Sequence, residues 1–281
     1  MPIRDILFTM INYPMPTAIG AVEKAVGLAG SLGSHITGLT FELDIRSPVG
    51  FYADPINISG MLAAERAKSA SNARDLVAAF DDVAARRNVL HEHTVEHCPP
   101  IEVSQHLVAH ARLRDLSIFP VNTANPDQRS LIEDLIFESG RPVLLLPEGA
   151  TRELATSFDT IVVAWDHSRP ATRAVADALP MLQAAKRVHV VTVVDEKRLA
   201  KSRSGVELCK HLARHGAEVI FEEVHAKGRP IGETLEAYSV ERKADLMVMG
   251  AYGHSKVREF ILGGATNSVL TRPFAWTLVS H

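Results

Sequence analysis

Several kinds of residue and pattern are scarce in this 281-residue sequence, and each shortage excludes a class of protein. The two cysteines, Cys98 and Cys209, are too few for a disulfide framework or a four-cysteine zinc site. No apolar run approaches the roughly 18 residues that a membrane-spanning helix needs. Arg4 and Asp5 also interrupt the N-terminal segment where a signal peptide would be apolar. With 46% hydrophobic and 22% charged residues, we expect a globular cytoplasmic protein that does not bind membranes.

The sequence also lacks an excess of positive charge. Its net charge of −3 argues against general affinity for nucleic acid or for anionic membranes. The whole-chain value hides an asymmetry, because residues 1–150 carry 12 Lys and Arg against 18 Asp and Glu, whereas residues 151–281 carry 18 against 15. The two halves therefore have net charges of −6 and +3.

The common catalytic motifs are missing as well. The sequence contains no Gly-x4-Gly-Lys-Ser/Thr loop, no Gly-x-Gly-x-x-Gly after its first strand and no Gly-x-Ser-x-Gly elbow. No paired carboxylates and no Ser/His/Asp set stand out. Without a candidate base, nucleophile or metal clamp, the sequence predicts no fast hydrolysis or phosphoryl transfer.

What the sequence does contain is an internal repeat. The segment that begins at Asp5 overlays the one that begins at Asp159, since each has an acid, an apolar strand, a polar turn, a proline and a helix. The segment from Cys98 overlays the one from Gly228 in the same way. Both halves end with Arg-Pro before a last apolar strand. These matches predict two copies of one domain, at residues 1–150 and 151–281.

Within each copy, predicted strands alternate with helices. Such alternation is typical of right-handed crossovers and of a parallel sheet covered on both faces. We therefore predict an α/β fold made of two tandem doubly wound, Rossmann-like domains, each with a five-stranded parallel sheet and helices on both faces. In the second copy the predicted strands are Thr160–Ala164, Val188–Val194, Glu218–Val224, Asp245–Met249 and Ala275–Val279, and the predicted helices lie near 170–184, 204–215, 231–243 and 264–271.

Residues suited to a phosphate site follow the strands of the second copy. In an open parallel sheet, ligands bind beyond the carboxyl ends of the strands, where the strand order reverses. Asp166 follows the first strand, and the fourth leads into the segment 250–264, whose closely spaced glycines would let backbone amides approach an anion. The alternative without a ligand is that the glycines serve turns and a helix start, and that Asp166 is only a turn or helix-cap residue.

This glycine segment, GAYGHSKVREFILGG, resembles the Gly-x2-Gly-x9-Gly-Ser/Thr signature of universal stress proteins that bind ATP. IVVAWDHS at 161–168 is similar to their first strand and its Asp. The resemblance covers nearly all of 157–281 and, more weakly, 1–147. It implies that Asp166 contacts the adenosine and that Val193 offers its backbone to adenine, a placement that depends on strand position alone. It also implies the phosphate-binding residues, which are Gly250, Gly253, Gly263, the amide of Gly264 and the nearby hydroxyl of Thr266.

Both copies depart from the family signature. Gly264 stands where the family has Ser or Thr, so one hydroxyl that would bind phosphate is lost, at a cost of about 0.5–1.5 kcal/mol. In the first copy, the overlay places Asn12 opposite Asp166, Pro120 opposite Gly250 and Thr123 opposite Gly253. Because proline lacks an amide donor and side chains crowd a phosphate, we predict that the first copy does not bind ATP in the same way.

The resemblance therefore implies a stress-response or regulatory protein whose second domain binds ATP or a related adenine nucleotide, with or without Mg²⁺. It also implies that the two domains pair through their last strands within the chain, as a pseudo-dimer, and that two chains could pair further. A slow ATPase or nucleotidyl-transfer enzyme, with Asp166, His167 and His254 as candidate groups, and a nucleotide-free scaffold stay open as alternatives.

Other chemically reactive residues receive weaker predictions. His91, His93 and His97 lie on one side of a predicted strand. Alternate residues of a strand are about 6.5–7 Å apart, so the outer two histidines are too distant to share one metal ion, and we expect polar strand positions rather than a metal site. Lys256 and Arg258 fit a solvated face better than a phosphate contact. Neither cysteine has neighbours that suggest a nucleophile.

Overall fold

Strands and helices alternate along the chain in the computed structural model, which describes residues 2–46, 57–125, 127–148, 155–194, 202–251 and 269–281. The strands are β1 (Asp5–Thr9), β2 (His35–Leu43), β3 (His91–Cys98), β4 (Leu116–Val121), β5 (Val143–Pro147), β6 (Thr160–Ala164), β7 (Arg187–Val194), β8 (Val219–His225), β9 (Leu246–Gly250) and β10 (Trp276–Ser280). The helices are α1 (Ile19–Leu32), α2 (Ile58–Arg86), α3 (Val103–Arg112), α4 (Gln128–Glu138), α5 (Arg169–Ala184), α6 (Ser202–Arg214) and α7 (Ile231–Glu241), with a 3₁₀ turn at Pro100–Glu102 before α3.

The strands form one sheet in the order β3-β2-β1-β4-β5-β10-β9-β6-β7-β8. Each half contributes five neighbouring parallel strands, and in both halves the first strand lies between the second and the fourth. Strand order therefore reverses beside β1 in the first half and beside β6 in the second. This arrangement confirms the predicted fold of two doubly wound domains.

Helices cover both faces of the sheet, because the strands are apolar on both sides. One buried layer joins Phe8, Val163 and Trp276 to residues of α1, α2, α5 and α6. The opposite layer joins Leu7 and Val162 to residues of α3, α4 and α7. Central strands such as β4 and β5 are buried along their whole length, which is why their sequences show continuous apolar runs rather than alternation.

Two aspartates repeat the same hydrogen bonds in the two halves. Asp115 Oδ2 accepts bonds from the amides of Arg4 and Asp5 at 2.9 and 3.1 Å. Asp245 Oδ2 accepts bonds from the amides of Asp159 and Thr160, both at 3.0 Å. Each aspartate thus ties the start of the fourth strand to the start of the first. The duplication read from the sequence extends to individual hydrogen bonds.

The two halves meet through their last strands. β5 and β10 pair antiparallel, with Val143 opposite Val279 and Leu145 opposite Thr277. Trp276 is fully buried at this joint, and its indole N–H donates to the carbonyl of Ala155 at 3.0 Å. The pairing places the start of β5 beside the end of β10, so the turn before β5 lies near the carboxyl end of the second half.

Candidate functional site

The candidate site lies at the carboxyl ends of three neighbouring strands, β9, β6 and β7. Ala164 at the end of β6 is paired with Met249 of β9 on one side and with Val191 of β7 on the other. Asp166, Val193 and Gly250 follow or end these strands. The fold thus brings these three predicted residues to the carboxyl ends of the strands, at the point where the strand order reverses. Ligands bind there in doubly wound sheets.

Asp166 organises the turn between β6 and α5. Its Oδ1 accepts a hydrogen bond from the amide of Ser168 at 2.9 Å, and Ser168 Oγ in turn caps α5 by accepting from the amide of Ala171 at 3.2 Å. His167, between them, has a positive φ of 63°. Asp166 therefore stabilises this turn, as the alternative without a ligand predicts. It also lies where a ligand beyond β6 would lie.

The backbone N–H and C=O of Val193 are directed toward the carboxyl end of β6. Along β7, the Val191 carbonyl accepts from Trp165 on the β6 side, whereas the Val194 carbonyl accepts from Ala226 on the β8 side. Because alternate residues of a strand direct their polar groups to the same neighbour, the N–H and C=O of Val193 are directed to the β6 side, past the end of that strand. This orientation suits the backbone contact with adenine that the resemblance implies.

Gly250 has a packing reason of its own to be glycine. A Cβ at this position would lie 2.3 Å from the Ala171 amide nitrogen and 2.5 Å from the Pro170 carbonyl carbon. Contacts this short with backbone atoms cannot be relieved by a side-chain movement, so only glycine lets α5 lie against the end of β9. The first glycine of the signature is thus required by the fold, whatever else it does.

The remaining predicted ligands of the phosphate fall outside the described residues. These are Gly253, Gly263, Gly264 and Thr266, and the same holds for Lys256, Arg258 and most of the helix predicted near 264–271. The described part of the site therefore comprises the strand ends and the turn into α5.

Trp165 is part of the site's wall and was not singled out by the sequence. Its indole N–H donates to Ser204 Oγ of α6 at 3.2 Å, and its ring packs edge-on against His167 at 5.8 Å. The Trp165 carbonyl accepts from Thr192 Oγ1 of β7 at 3.0 Å. Its position next to Asp166 in a strand-to-helix turn could have indicated this role from the sequence. A buried tryptophan usually has a hydrogen-bond partner for its indole N–H.

The first half has no acid at the corresponding place. The overlay of the two copies set Asn12 opposite Asp166, but the hydrogen bonds place the strands one residue out of that register. Asp115 and Asp245 match Asp5 with Thr160, and the amide of Met10 bonds to β2 as that of Trp165 bonds to β7. Buried Ile11 therefore takes the position of Asp166.

Asn12 serves the packing of α2 instead. It is buried, and its Nδ2 lies within hydrogen-bond distance of the carbonyls of Phe41 and Ser69 and of Ser69 Oγ. Asn72 Nδ2 donates to the Asn12 carbonyl at 2.8 Å. The long helix α2 thus covers the space beyond β1 and β2, where a nucleoside would have to lie.

Amides that would bind phosphate in the first half already have acceptors within their own loop. The amide of Asn122 donates to Gln128 Oε1 at 2.9 Å, and that of Ala124 donates to Asn122 Oδ1 at 3.0 Å. Pro120, opposite Gly250, is buried in β4 and supplies no N–H, and Thr123 is an exposed residue of this loop. These hydrogen bonds occupy the amides between β4 and α4 and leave few donors for an anion.

A carboxylate already occupies the helix start in that half. Glu148 Oε1 accepts from the amide of Ala18, the N-cap residue of α1, at 3.0 Å. Burial raises the pKa of Glu148, although hydrogen bonds from Ala18 and the Asn122 side chain oppose the shift. The protein's own acid therefore uses the donor that an incoming anion would need.

The histidines of β3 and the two cysteines have ordinary surroundings in the described part of the chain. His91 and His93 both face Asp81 on α2, while His97 pairs with Glu42 on β2. No group of three or more His, Cys, Asp or Glu within the described ranges is arranged to hold a metal ion. Burial raises the pKa of both thiols, at Cys98 and Cys209, which is the opposite of what a nucleophilic cysteine needs.

A tyrosine near the edge strand β8 belongs to a cluster of four polar side chains. Tyr238 of α7 donates to Glu222 of β8 and lies 3.0 Å from His189 Nδ1 of β7, while Arg242 bonds Glu222 at 3.2 Å. Burial and the bond to Glu222 raise the pKa of Tyr238 well above its usual value. Burial lowers the pKa of His189. The cluster attaches α7 to the edge strand β8 and lies apart from the ends of β6 and β9.

Comparison with known families agrees with this geometry. Residues 157–274 match the model of the universal stress protein family. The second half of the chain is a universal stress protein domain. The comparison with curated proteins gives no match.

The whole chain has the same fold as other solved proteins. The crystal structure of a universal stress protein from Archaeoglobus fulgidus covers 98% of this chain and 95% of its own, with a TM-score of 0.70 and 18% identity. A functionally unknown protein from Pseudomonas aeruginosa PAO1 covers 99% of this chain and 92% of its own, with a TM-score of 0.59 and 17% identity. Within the described ranges, no helix has both the length and the apolar character needed to cross a bilayer.

Proposed function

We propose that this chain is a stress-response or regulatory protein whose universal stress protein domain binds ATP or a related adenine nucleotide. One observation carries the proposal. In a domain that matches this family, Asp166, the Val193 backbone and Gly250 lie together at the carboxyl ends of β6, β7 and β9, and the glycines with the family's spacing follow directly in the sequence.

The proposed roles follow from chemistry and position. Asp166 accepts hydrogen bonds from the ribose or the base, and the Val193 backbone pairs with the edge of adenine. The amides of Gly250, Gly253, Gly263 and Gly264 bind the phosphates, with the Thr266 hydroxyl nearby. Mg²⁺ would add charge neutralisation to the phosphates when it accompanies the nucleotide. We assign binding rather than fast turnover, with Asp166, His167 and His254 as the candidate groups of the slow-enzyme alternative.

We propose further that the first half binds no nucleotide. Ile11 supplies no hydrogen bond in place of Asp166, α2 covers the ends of β1 and β2, and Glu148 uses the Ala18 amide. A nucleotide would have to displace a packed helix and a carboxylate together. The expected stoichiometry is therefore one nucleotide per chain.

Equilibrium binding of a fluorescent ATP analogue to the full chain tests this proposal. The double variant Gly253→Asp plus Gly263→Asp places carboxylates where phosphates should lie, so binding should be lost. Thr123→Asp is the matched control, because Thr123 is exposed and has the position of Gly253 in the first half. Two equivalent sites per chain, or undiminished binding by the double variant, would contradict the proposal.

A second measurement separates the alternatives that the sequence left open. The chain is purified without added nucleotide, and the small molecules it releases are identified by mass spectrometry. ATP or AMP supports the binding protein, whereas a converted product such as ADP favours a slow enzyme. Release of no nucleotide, together with no binding of the analogue, favours the scaffold. The packing role of Gly250 is the observation that gives the scaffold weight, because that glycine would persist without a ligand.

A further inference from the structure

A cleft of about 640 Å³ lies between α5 and the turn that joins α4 to β5. The residues that line it are all exposed, so it is an open cleft on the surface. One wall comes from each half, because the antiparallel β5–β10 pair brings the turn beside the end of β10. The residues that line it are Gly140, Arg169, Thr172, Arg173, Ala176 and His281.

Among the described residues that line this cleft, two are arginines and none is acidic. Arg169 and Arg173 lie in the first two turns of α5, whose first turn contains no acid. Arg173 is partly compensated, because its Nε donates to Asp177 Oδ2 at 2.9 Å. Within the described part of the chain, no carboxylate pairs with the Arg169 guanidinium. A cation near a helix N-terminus is unfavourable, so these arginines leave a local excess of positive potential.

His281 gives the cleft a wall that both halves hold in place. Its ring packs edge-on against Phe137 of α4 at 4.7 Å, and its Nδ1 lies 3.2 Å from the Ala251 carbonyl. Because a carbonyl only accepts hydrogen bonds, Nδ1 carries the proton in this contact. The ring orientation is therefore fixed by residues from both domains.

We propose that this cleft binds a small phosphate monoester, such as a sugar phosphate, at a site separate from the nucleotide site. The planar guanidinium groups of Arg169 and Arg173 suit bidentate recognition of phosphate oxygens, and the start of α5 adds its favourable dipole. The volume of the cleft leaves room for the esterified part of the ligand. A ligand here would contact both domains at once.

Isothermal titration of the full chain with ribose 5-phosphate tests this site, with ribose as the uncharged comparison and inorganic phosphate as the comparison without an ester. We expect ribose 5-phosphate to bind in preference to both. Gly140→Asp and Gly140→Asn form a matched pair, since both tolerate the positive φ of 67° and a Cβ there meets open space. Only the aspartate adds a negative charge, so only Gly140→Asp should weaken binding, by at least about tenfold.

Arginine variants locate the charge that is responsible. Arg169→Gln should weaken ribose 5-phosphate at least about tenfold and leave binding of the ATP analogue unchanged. Arg187→Gln, at an exposed arginine that begins β7, should change neither. The proposal is overturned if ribose binds as well as its phosphate, if inorganic phosphate binds as tightly as the ester, or if both Gly140 variants behave alike. It is also overturned if Arg169→Gln abolishes binding of the ATP analogue, because the arginine would then belong to the nucleotide site.

Discussion

Gly250 lies so close to α5 that a Cβ there would be 2.3 Å from the amide nitrogen of Ala171. Gly250→Ala should therefore push α5 away from β9 and lower the free energy of unfolding by about 1–3 kcal/mol. Urea unfolding followed by tryptophan fluorescence is a suitable measurement, since both tryptophans, Trp165 and Trp276, belong to the second half. Gly20→Ala is the control, because its Cβ meets nothing within 4 Å. Equal stability of wild type and Gly250→Ala would contradict the packing role.

Glu148, the partly buried acid that bonds the N-cap amide of α1, predicts a pH dependence of stability. Burial raises the pKa of Glu148, so the folded state holds this proton more tightly than the unfolded state does. Its contribution to stability is then complete below the ordinary pKa of a glutamate and is lost as the pH rises through the raised value. Glu148→Gln keeps the acceptor for Ala18 and removes the titration. The stability of this variant relative to wild type should increase across that pH window.

Urea unfolding from pH 4 to pH 8 measures this difference. Glu218→Gln is the control, because that carboxylate is exposed at the start of β8. This variant shows what loss of an exposed carboxylate does to the same curves. Parallel curves for wild type and Glu148→Gln would mean that Glu148 does not titrate differently in the folded state.

Asn12→Asp should destabilise the first half rather than restore a nucleotide site. The amide nitrogen of Asn12 serves the carbonyls of Phe41 and Ser69, and a carboxylate would oppose those oxygens with no proton to donate. The expected loss in unfolding free energy is about 2–5 kcal/mol. Asn88→Asp, at an exposed position with positive φ, should cost little. A stable Asn12→Asp variant that binds a second ATP analogue would refute this interpretation.

Tyr238→Phe should loosen the edge of the second half. The hydroxyl donates to the Glu222 carboxylate, and loss of such a charge-assisted bond costs about 1.5–3 kcal/mol. Burial alone would raise the pKa of Glu222, but the Tyr238 hydroxyl and Arg242 lower it overall. This contribution to stability is present above the ordinary pKa of the acid and is lost as the pH falls through the lowered value. The difference in unfolding free energy between wild type and Tyr238→Phe should therefore be smaller in acid than at neutral pH.

Unfolding curves at neutral and acid pH check both parts of this prediction. Tyr13→Phe serves as the comparison, because the Tyr13 hydroxyl also bonds a carboxylate, that of Glu65, but at a half-buried position where its loss should cost less. Equal losses for the two tyrosine variants would show that the buried bond to Glu222 contributes nothing special.

The sequence predicts much of the architecture because local signals agree along the chain. The β-branched run at Thr160–Ala164 has the bounds of β6 as predicted, and the other predicted strands of the second half lie within one or two residues of β7 to β10. The repeat was also sufficient to predict two domains of one fold. Its register was wrong by one residue at the first strand, because identical letters, Asp5 and Asp159, were aligned. Hydrogen bonds to Asp115 and Asp245 decide the true register.

The site was harder to predict because its determinants are distant in sequence. The contact between Gly250 and Ala171 joins residues 79 positions apart, so the sequence suggested a ligand or a turn, but not this packing contact, as the reason for that glycine. Likewise, Asn12 looked like a lost acid, whereas its partners on α2 are visible only in three dimensions. No local sequence pattern indicated that Glu148 would accept a hydrogen bond from the amide at the start of α1.

The joint between β5 and β10 also bears on how the two halves could come to differ. When identical subunits pair through one strand about a two-fold axis, every substitution is present on both sides of the axis. Here the paired strands belong to one chain, so each half can change alone. That freedom allows Ile11, Pro120 and Glu148 to accumulate on one side while the other keeps Asp166 and its glycines. The covalent link removes the symmetry constraint and leaves the interface itself intact.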